Sequence, residues 1–225
     1  MHKAIPNTPT AYPLIEPGKR ASIAGRTGSG KSSLGCFLLA RSPGHWAILN
    51  PKGTKAYDNL PDCNTIHGFN LKKIEESLRE HKFTNIIPTI QQSSPANLDN
   101  FIMWLHTSYE NMGLCIDELY TVHTAAGQSG DGLTALLTRG RELKQSYLGM
   151  TQRPAWISKF VFSEADYVCE MSLAILKDRK VMQEMMGDNV ACLEKLPPYQ
   201  WLWYDQSKDH LRKLGRVPLL KKAAK

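Results

Sequence analysis

Eight consecutive residues near the start of the chain have the spacing of a phosphate-binding loop. They match the pattern G-x-x-x-x-G-K-[ST] at every defined position and are Gly25, Arg26, Thr27, Gly28, Ser29, Gly30, Lys31 and Ser32, with Ser33 next in the chain. Glycines let successive backbone N–H groups turn inward around a phosphate at the start of a helix. The lysine of such a loop contacts the β- and γ-phosphates, and its Ser or Thr hydroxyl binds Mg²⁺. The loop and Ser33 therefore predict a site for a nucleoside triphosphate, in which Lys31 is catalytic and Ser32 binds the metal.

Two adjacent acids, Asp117 and Glu118, follow the apolar run 112–116. A phosphate-binding loop needs a second carboxylate to hold its metal, and Asp117 is the predicted one. Glu118 is the predicted general base, which would polarise the attacking water. The alternative is a strand that ends in two solvated acids.

A polar side chain, Gln152, follows another apolar run, 147–150, after Thr151. Ligands gather at the carboxyl ends of parallel strands, so Gln152 would lie near the phosphates. There it would sense the γ-phosphate or position water, and we count it among the catalytic residues. The alternative is a polar residue that is merely satisfied at a strand end.

The elements that must position these residues alternate between short apolar runs and longer stretches with apolar residues three to four apart. The short runs predict strands at 21–24, 46–49, 85–87, 113–116, 147–150, 167–171 and 200–204. The longer stretches predict helices at 32–40, 71–81, 98–111, 132–143 and 177–186. This alternation is typical of an α/β fold with a mostly parallel sheet flanked by helices.

Composition divides the chain into three parts. Residues 1–18 hold four prolines and predict an extended N-terminal arm, and residues 19–205 form the predicted core. Residues 206–225 contain seven lysine and arginine residues against one acidic residue, so most of the net charge of +7 belongs to this basic C-terminal tail. The predicted DNA-binding residues are Lys221, Lys222 and Lys225, because basic tails neutralise phosphates without reading sequence. The alternative is a terminus that only aids solubility.

The same composition argues against membrane-spanning and secreted proteins. No run of 18 apolar residues is present, and the first residues lack the apolar segment of a signal peptide. The five cysteines are odd in number and widely spaced, which indicates a reducing compartment rather than disulfides or a zinc site.

Taken together, four motifs resemble the FtsK/HerA superfamily of DNA-pumping ATPases. They are the phosphate-binding loop, the turn Asn50-Pro51-Lys52-Gly53, the Asp117-Glu118 pair, and Thr151-Gln152-Arg153-Pro154. Within the superfamily, a lone core of this size is most similar to the genome-packaging ATPases of tailless, membrane-containing double-stranded DNA viruses. The resemblance spans about residues 20–190 and implies a RecA-like P-loop NTPase core that uses ATP and Mg²⁺.

The resemblance also implies partners. It implies a homo-oligomeric ring, a hexamer or pentamer, that hydrolyses ATP to move double-stranded DNA into a preformed capsid. The ring would dock on a capsid or portal vertex protein, so it would be found at the packaging vertex of the virion and in the host cytoplasm. Each site would receive a catalytic arginine from the neighbouring subunit, for which Arg139 and Arg141 are the candidates and Arg153 is a third.

Three other interpretations remain open from the sequence. One is a plasmid-transfer or segregation ATPase of the same superfamily, and another is a P-loop kinase of a small molecule. The third is a non-enzymatic assembly module that ATP only locks, for which Glu118 would be dispensable. The chain also departs from the family at Asn50, where relatives often have an acid, so that position is given no catalytic role.

Overall fold

Nine strands and six helices make up the computed structural model, which describes residues 13–123 and 127–217, with the backbone alone at 213 and 214. The strands are β1 Arg20–Ala24, β2 His45–Leu49, β3 Cys63–His67, β4 Phe83–Ile87, β5 Met112–Asp117, β6 Ser146–Thr151, β7 Tyr167–Met171, β8 Trp201–Asp205 and β9 His210–Leu214. The helices are α1 Lys31–Arg41, α2 Leu71–Glu80, α3 Pro95–Ser108, α4 Asp131–Arg139, α5 Phe160–Ser163 and α6 Leu176–Met185. All seven predicted strands and all five predicted helices are present, and the ends of most of them differ by a few residues from the prediction.

The strands form one sheet in the order β3-β4-β2-β5-β6-β1-β7-β8-β9. The first seven in this order are parallel, whereas β8 and β9 run antiparallel to their neighbours. Ala24 pairs with Thr151, and Asp117 pairs with Met150, which sets the carboxyl ends of β1, β5 and β6 side by side. The predicted α/β fold with a mostly parallel sheet is therefore confirmed, and the carboxyl edge of the sheet collects the residues with predicted chemistry.

Helices cover both faces of the sheet, so its central strands are buried on both sides. Helices α2 to α6 pack on one face through buried side chains such as Ile74 and Leu98. Helix α1 packs on the other face through side chains such as Leu34. Successive side chains of β8 point to opposite faces and so contribute to both cores, with Trp201 on the α1 side and Leu202 on the opposite side. Burial on both faces explains the nearly continuous apolar runs that predicted these strands.

The sheet continues beyond the predicted end of the core. Strand β9 pairs with β8, for example through Arg212 opposite Trp203, although the predicted core ended at residue 205. The first part of the predicted basic tail is therefore an edge strand of the sheet. Lys221, Lys222 and Lys225 lie outside the described residues.

The predicted N-terminal arm is described only from residue 13 onward, and that part packs on the core. Ile15 is fully buried, and its N–H donates to Ser42 Oγ at 3.1 Å. The Gly18 N–H donates to Ser146 Oγ at 3.1 Å. Residues 13–18 thus belong to the folded core rather than to an extended arm. Across residues 13–123 and 127–217, no helix combines the length and apolar character needed to cross a membrane.

Candidate nucleotide-binding site

The phosphate-binding loop joins β1 to α1, and two of its glycines adopt left-handed backbone conformations. The φ angle is 76° at Gly28 and 100° at Gly30, values that residues with a side chain adopt only with strain. Helix α1 begins at Lys31 without a side-chain cap and without an acidic residue in its first turn. Its first backbone N–H groups therefore remain available to an anion, which is the arrangement that binds phosphate.

A cleft of about 390 Å³ opens over this loop at the carboxyl edge of the sheet. The predicted site residues that line it are Thr27, Gly28, Gly30, Lys31, Ser32, Ser33, Asp117, Glu118 and Gln152. Three further lining residues were given no role from the sequence: Lys52, Thr54 and Tyr199. The loop residues outside the lining are Gly25, Arg26 and Ser29. Their backbones anchor the loop: the Gly25 N–H donates to the Thr151 carbonyl at 3.0 Å, the Arg26 N–H donates to the Ser172 carbonyl at 2.8 Å, and the Ser29 carbonyl accepts from the Tyr199 N–H at 3.1 Å.

Lys31 and Asp117 are buried charged residues that line the same cleft. Burial lowers the pKa of Lys31 from its ordinary value, and the negative charges of Glu118 and Asp117 oppose that shift. Burial raises the pKa of Asp117, while hydrogen bonding to Thr54 and the charge of Lys31 oppose that shift. Both groups have lost water that the protein replaces only in part. A phosphate beside Lys31 and a cation beside Asp117 would supply the missing interactions.

Glu118 is held by the strand tips around it. Its φ angle is 96°, a costly value for a residue with a side chain, and the residue is 5% exposed. One carboxylate oxygen accepts a hydrogen bond from Lys52 Nζ at 2.8 Å, and the other accepts one from the Gln152 backbone N–H at 3.3 Å. Strained residues of this kind cluster at active sites. Here the strain accompanies an ordered carboxylate that borders the cleft.

Gln152 joins the tip of β6 to the phosphate-binding loop. The Thr27 hydroxyl donates to Gln152 Oε1 at 2.7 Å. Strand β6 lies between β1 and β5, so Gln152 stands between the loop and Glu118. Gln152 therefore contacts both the phosphate-binding loop and Glu118.

The turn after β2 brings Lys52 and Thr54 to the cleft, and Asn50 fixes that turn. The buried Asn50 amide donates to the Thr54 carbonyl at 3.0 Å and to Asn85 Oδ1 at 3.1 Å. Its side-chain oxygen accepts from the Thr54 N–H at 2.8 Å. An ionised carboxylate cannot donate, so only an amide satisfies this set. A structural role in the turn thus explains why Asn50 occupies a position where the family that the sequence resembles often has an acid.

The donors around the cleft suit a metal ion that arrives with a phosphate ligand. Among the described residues, no group of three or more His, Cys, Asp or Glu side chains could hold a metal ion by itself. Ser32 and Asp117 nevertheless line the same cleft. Hydroxyl and carboxylate oxygens are ligands that Mg²⁺ accepts when substrate phosphates and water complete its shell. These two residues therefore fit Mg²⁺ bound together with a nucleotide.

The arginines predicted to act on a neighbouring subunit do not line the cleft of their own subunit. Arg139 is exposed in the last turn of α4. Arg141, in the following turn, donates through Nη2 to Asp166 Oδ1 at 2.8 Å. Arg153 donates through Nε to Asp178 Oδ2 at 2.9 Å. Of the three, only Arg139 makes no ion pair within residues 13–123 and 127–217.

Sequence similarity points to one kind of protein. The chain is 24% identical over 211 residues to the DNA packaging ATPase P9 of Enterobacteria phage PRD1, which covers 89% of this chain and 88% of that protein. The chain is a relative of this packaging ATPase. No family model matches the chain.

Solved structures share the fold. The genome packaging NTPase B204 from Sulfolobus turreted icosahedral virus 2, in complex with AMP, superposes with a TM-score of 0.69 at 16% identity, over 90% of this chain and 99% of that one. Its complex with ATP-gammaS gives a TM-score of 0.67 at 17% identity, over the same shares of the two chains. VirB4 of Thermoanaerobacter pseudethanolicus gives 0.66 at 11% identity, over 88% of this chain and 89% of that one. The predicted P-loop NTPase fold is confirmed, and the predicted similarity to viral genome-packaging ATPases is confirmed by the phage PRD1 protein.

Proposed function

We propose that this chain hydrolyses ATP to drive double-stranded DNA into a preformed viral capsid. The observation that carries the proposal is one cleft in which the phosphate-binding loop, Asp117, Glu118 and Gln152 meet. The relative from phage PRD1 is a DNA packaging ATPase, and structures of B204 with the same fold contain AMP and ATP-gammaS. These similarities support a nucleotide in the cleft and DNA as the moved substrate.

Each side of the cleft has one role in the proposed mechanism. The loop N–H groups and the Lys31 ammonium bind the β- and γ-phosphates, which replace the water that Lys31 lost on burial. Ser32 and Asp117 would hold Mg²⁺, which neutralises charge on the phosphate oxygens when bound. Glu118 orients the attacking water and accepts its proton as the water oxygen bonds to the γ-phosphorus and the bond between the γ-phosphorus and the leaving ADP oxygen breaks.

Lys52 and Gln152 act on the general base, Glu118, rather than on the phosphates. Lys52 contacts Glu118 at 2.8 Å and so fixes one oxygen of the carboxylate. Gln152 contacts the loop through Thr27 and contacts Glu118 through its backbone N–H. We therefore assign both as positioning residues, with Gln152 reporting the state of the phosphates to Glu118.

The proposed working unit is a ring, hexameric or pentameric, in which a neighbour completes each site. None of the described residues that line the cleft is an arginine. A neighbour's arginine would stabilise the charge that develops on the transferred phosphoryl group. Arg139 is the better candidate, because it is exposed and Arg141 is already bound to Asp166 of its own subunit.

The proposed partners are double-stranded DNA and a capsid or portal vertex protein, at the packaging vertex of the virion and in the host cytoplasm. Lys221, Lys222 and Lys225 are the proposed contacts to the DNA backbone. Each phosphate contact adds about 0.9 to the slope of log affinity against log salt. A chain that ends at Val217 keeps the hydrogen bond from the Val217 N–H to the Tyr199 carbonyl and loses the three lysines.

We expect the truncation at Val217 to reduce the slope of log affinity for duplex DNA against log salt concentration by up to about 3. Fluorescence anisotropy over a series of salt concentrations measures the slope. The matched control is a full-length chain with the three lysines changed to Gln, which should behave like the truncated one. An unchanged slope in both would assign the tail to capsid docking or solubility.

The experiment that tests the proposed function is steady-state ATP hydrolysis with and without long duplex DNA, at low and moderate salt. A DNA motor should be stimulated severalfold by duplex DNA, and the stimulation should weaken as salt rises. Single-stranded DNA of the same mass is the control. Hydrolysis that ignores duplex DNA in the full-length chain would contradict the motor and favour a small-molecule kinase.

A further inference from the structure

Tyr199 borders the cleft beside the phosphate-binding loop, yet the proposed chemistry does not use it. Its backbone N–H donates to the Ser29 carbonyl at 3.1 Å, and its own carbonyl accepts from the Val217 N–H at 3.0 Å. Its φ angle is 66°, in the left-handed region. Hydrogen bonds on both sides therefore hold a strained residue against the loop, and strain of this kind is typical of ligand sites.

The Tyr199 ring has a neighbour at its edge and another over one face. A Cβ added to Gly30 would lie 2.6 Å from Tyr199 Cδ1, so the edge of the ring packs directly on the loop. The guanidinium carbon of Arg216 lies 5.4 Å from the ring centroid, over the ring. Tyr199 is half-buried and Arg216 is exposed. The ring is therefore fixed in orientation while part of it remains open to the cleft.

The chemistry of the cleft leaves one surface that suits a base. Tyr199 is the only aromatic residue among the described residues that line the cleft, and the others are glycines or polar and charged side chains. A nucleotide whose phosphates sit in the loop extends its sugar and base away from the loop along the wall of the cleft. Aromatic rings bind bases by stacking, which removes the faces of both rings from water.

We propose that the Tyr199 ring, backed by Arg216, is the platform on which the base of the bound nucleotide stacks. The proposal rests on the proposed nucleotide site and adds the group that holds the other end of the ligand. A platform binds the face of a base, so it distinguishes a nucleotide from a bare triphosphate rather than one purine from another.

Calorimetric titration of the full-length chain tests the platform, with ATP and with inorganic tripolyphosphate as ligands, both in the presence of Mg²⁺. We expect Tyr199→Ala to weaken ATP binding by about tenfold and tripolyphosphate binding by less than about twofold. Tyr199→Phe keeps the ring and should change neither affinity. The backbone hydrogen bonds to Ser29 and Val217 do not depend on the side chain, so both variants retain them.

A second variant, Arg216→Ala, changes an exposed residue and so keeps the fold. We expect about a threefold loss for ATP alone, because the ring loses the cation that backs it. Equal losses for ATP and tripolyphosphate in Tyr199→Ala would mean that the ring only shapes the loop. Unchanged ATP affinity would mean that the base binds elsewhere. Either result overturns the platform and leaves the nucleotide site intact, whereas a wild-type chain that binds neither ligand overturns the nucleotide site and the platform together.

Discussion

Buried charges lie both where the parallel strands begin, at the amino edge of the sheet, and where they end, at the carboxyl edge. The two sets of charges differ in what their partners are. At the amino edge, Asp166 accepts from Lys19 Nζ at 2.9 Å, from the Arg20 backbone N–H at 2.9 Å and from Arg141 Nη2 at 2.8 Å. At the carboxyl edge, Lys31 is buried to a similar degree and lines an open cleft. A charge whose partners all belong to the chain stabilises the fold, whereas a buried charge beside a cleft gains its missing partner from a ligand.

This difference separates residues that look alike in sequence. Lys19 directly precedes β1, and Lys31 follows β1 after the phosphate-binding loop. Arg139 and Arg141 are two residues apart. In each pair, one member, Lys19 or Arg141, forms an ion pair with Asp166, whereas the other forms none within the described residues. Functional sites tolerate incompletely satisfied groups because the ligand completes them. Matched substitutions within each pair should therefore separate catalysis from stability.

The largest effect should come from Lys31→Ala. We expect it to lower the rate of ATP hydrolysis by about a thousandfold, because the phosphates lose a preorganised charge that replaces their water. Thermal unfolding should change little, since the removed ammonium is poorly solvated. Lys19→Ala is the matched control at the amino edge, and it should keep turnover while losing about 0.5–1 kcal/mol of stability. Equal losses of turnover in the two variants would contradict the division between the edges.

The arginine pair should give the next largest effect. We expect Arg139→Ala to lower the hydrolysis rate by about a thousandfold if it completes a neighbour's site, with Arg141→Ala near wild type in turnover. Mixing Arg139→Ala subunits with Lys31→Ala subunits should restore part of the activity, because some sites then combine an intact Lys31 with an intact neighbouring Arg139. A mixture as inactive as its parts would mean that Arg139 does not act across subunits, and a loss confined to Arg141→Ala would reverse the assignment.

The fold was predictable where burial is complete and was missed where it is partial. Strands β1, β2, β5 and β6 are buried on both faces and appear as apolar runs. The two unpredicted strands, β3 and β9, are the outermost strands of the sheet, where polar residues such as Asn64 and Arg212 are tolerated. Helix α3 begins three residues before its predicted start, because Ser94 caps it and Pro95 occupies its first turn.

The site was predictable where a motif carries its own spacing. The loop and the acid pair are local patterns, and they meet because parallel strands end together. Lys52 lies in a motif that the sequence displays, but its contact with Glu118, 66 residues away, depends on a turn fixed by Asn50. Tyr199 belongs to no motif, and contacts with residues far away in sequence, such as the backbone hydrogen bond to Ser29 and the packing of its ring on Gly30, bring it to the cleft.

A third buried acid, Glu170 on β7, extends the comparison because it forms no ion pair within residues 13–123 and 127–217 and does not line the nucleotide cleft. Both of its carboxylate oxygens are buried without a hydrogen-bond partner among the described residues. Burial raises the pKa of Glu170 to about 8, against opposition from the Cys192 thiol and the Arg179 charge. Where Asp166 has partners and Asp117 has a cleft, Glu170 avoids the cost of a buried charge by keeping its proton.

The smallest effect on ATP hydrolysis is expected at Glu170, where the expected result is instead a pH dependence of stability. The folded pKa of Glu170, about 8, lies above its ordinary value of 4.5, so the folded chain binds more protons than the unfolded chain between these values. The free energy of unfolding should fall by up to about 1.4 kcal/mol per pH unit as pH rises through this window, and this contribution should level off above it.

Glu170→Gln should remove that slope, and it should therefore stabilise the protein at pH 8 while changing little at pH 5. Urea unfolding at several pH values between 5 and 8 measures it. Asp166→Asn is the matched control, because its carboxylate is stabilised by its partners and the variant should lose stability at neutral pH. A slope that persists unchanged in Glu170→Gln would mean that Glu170 does not carry it, and Asp117, whose pKa burial also raises, would be the next candidate.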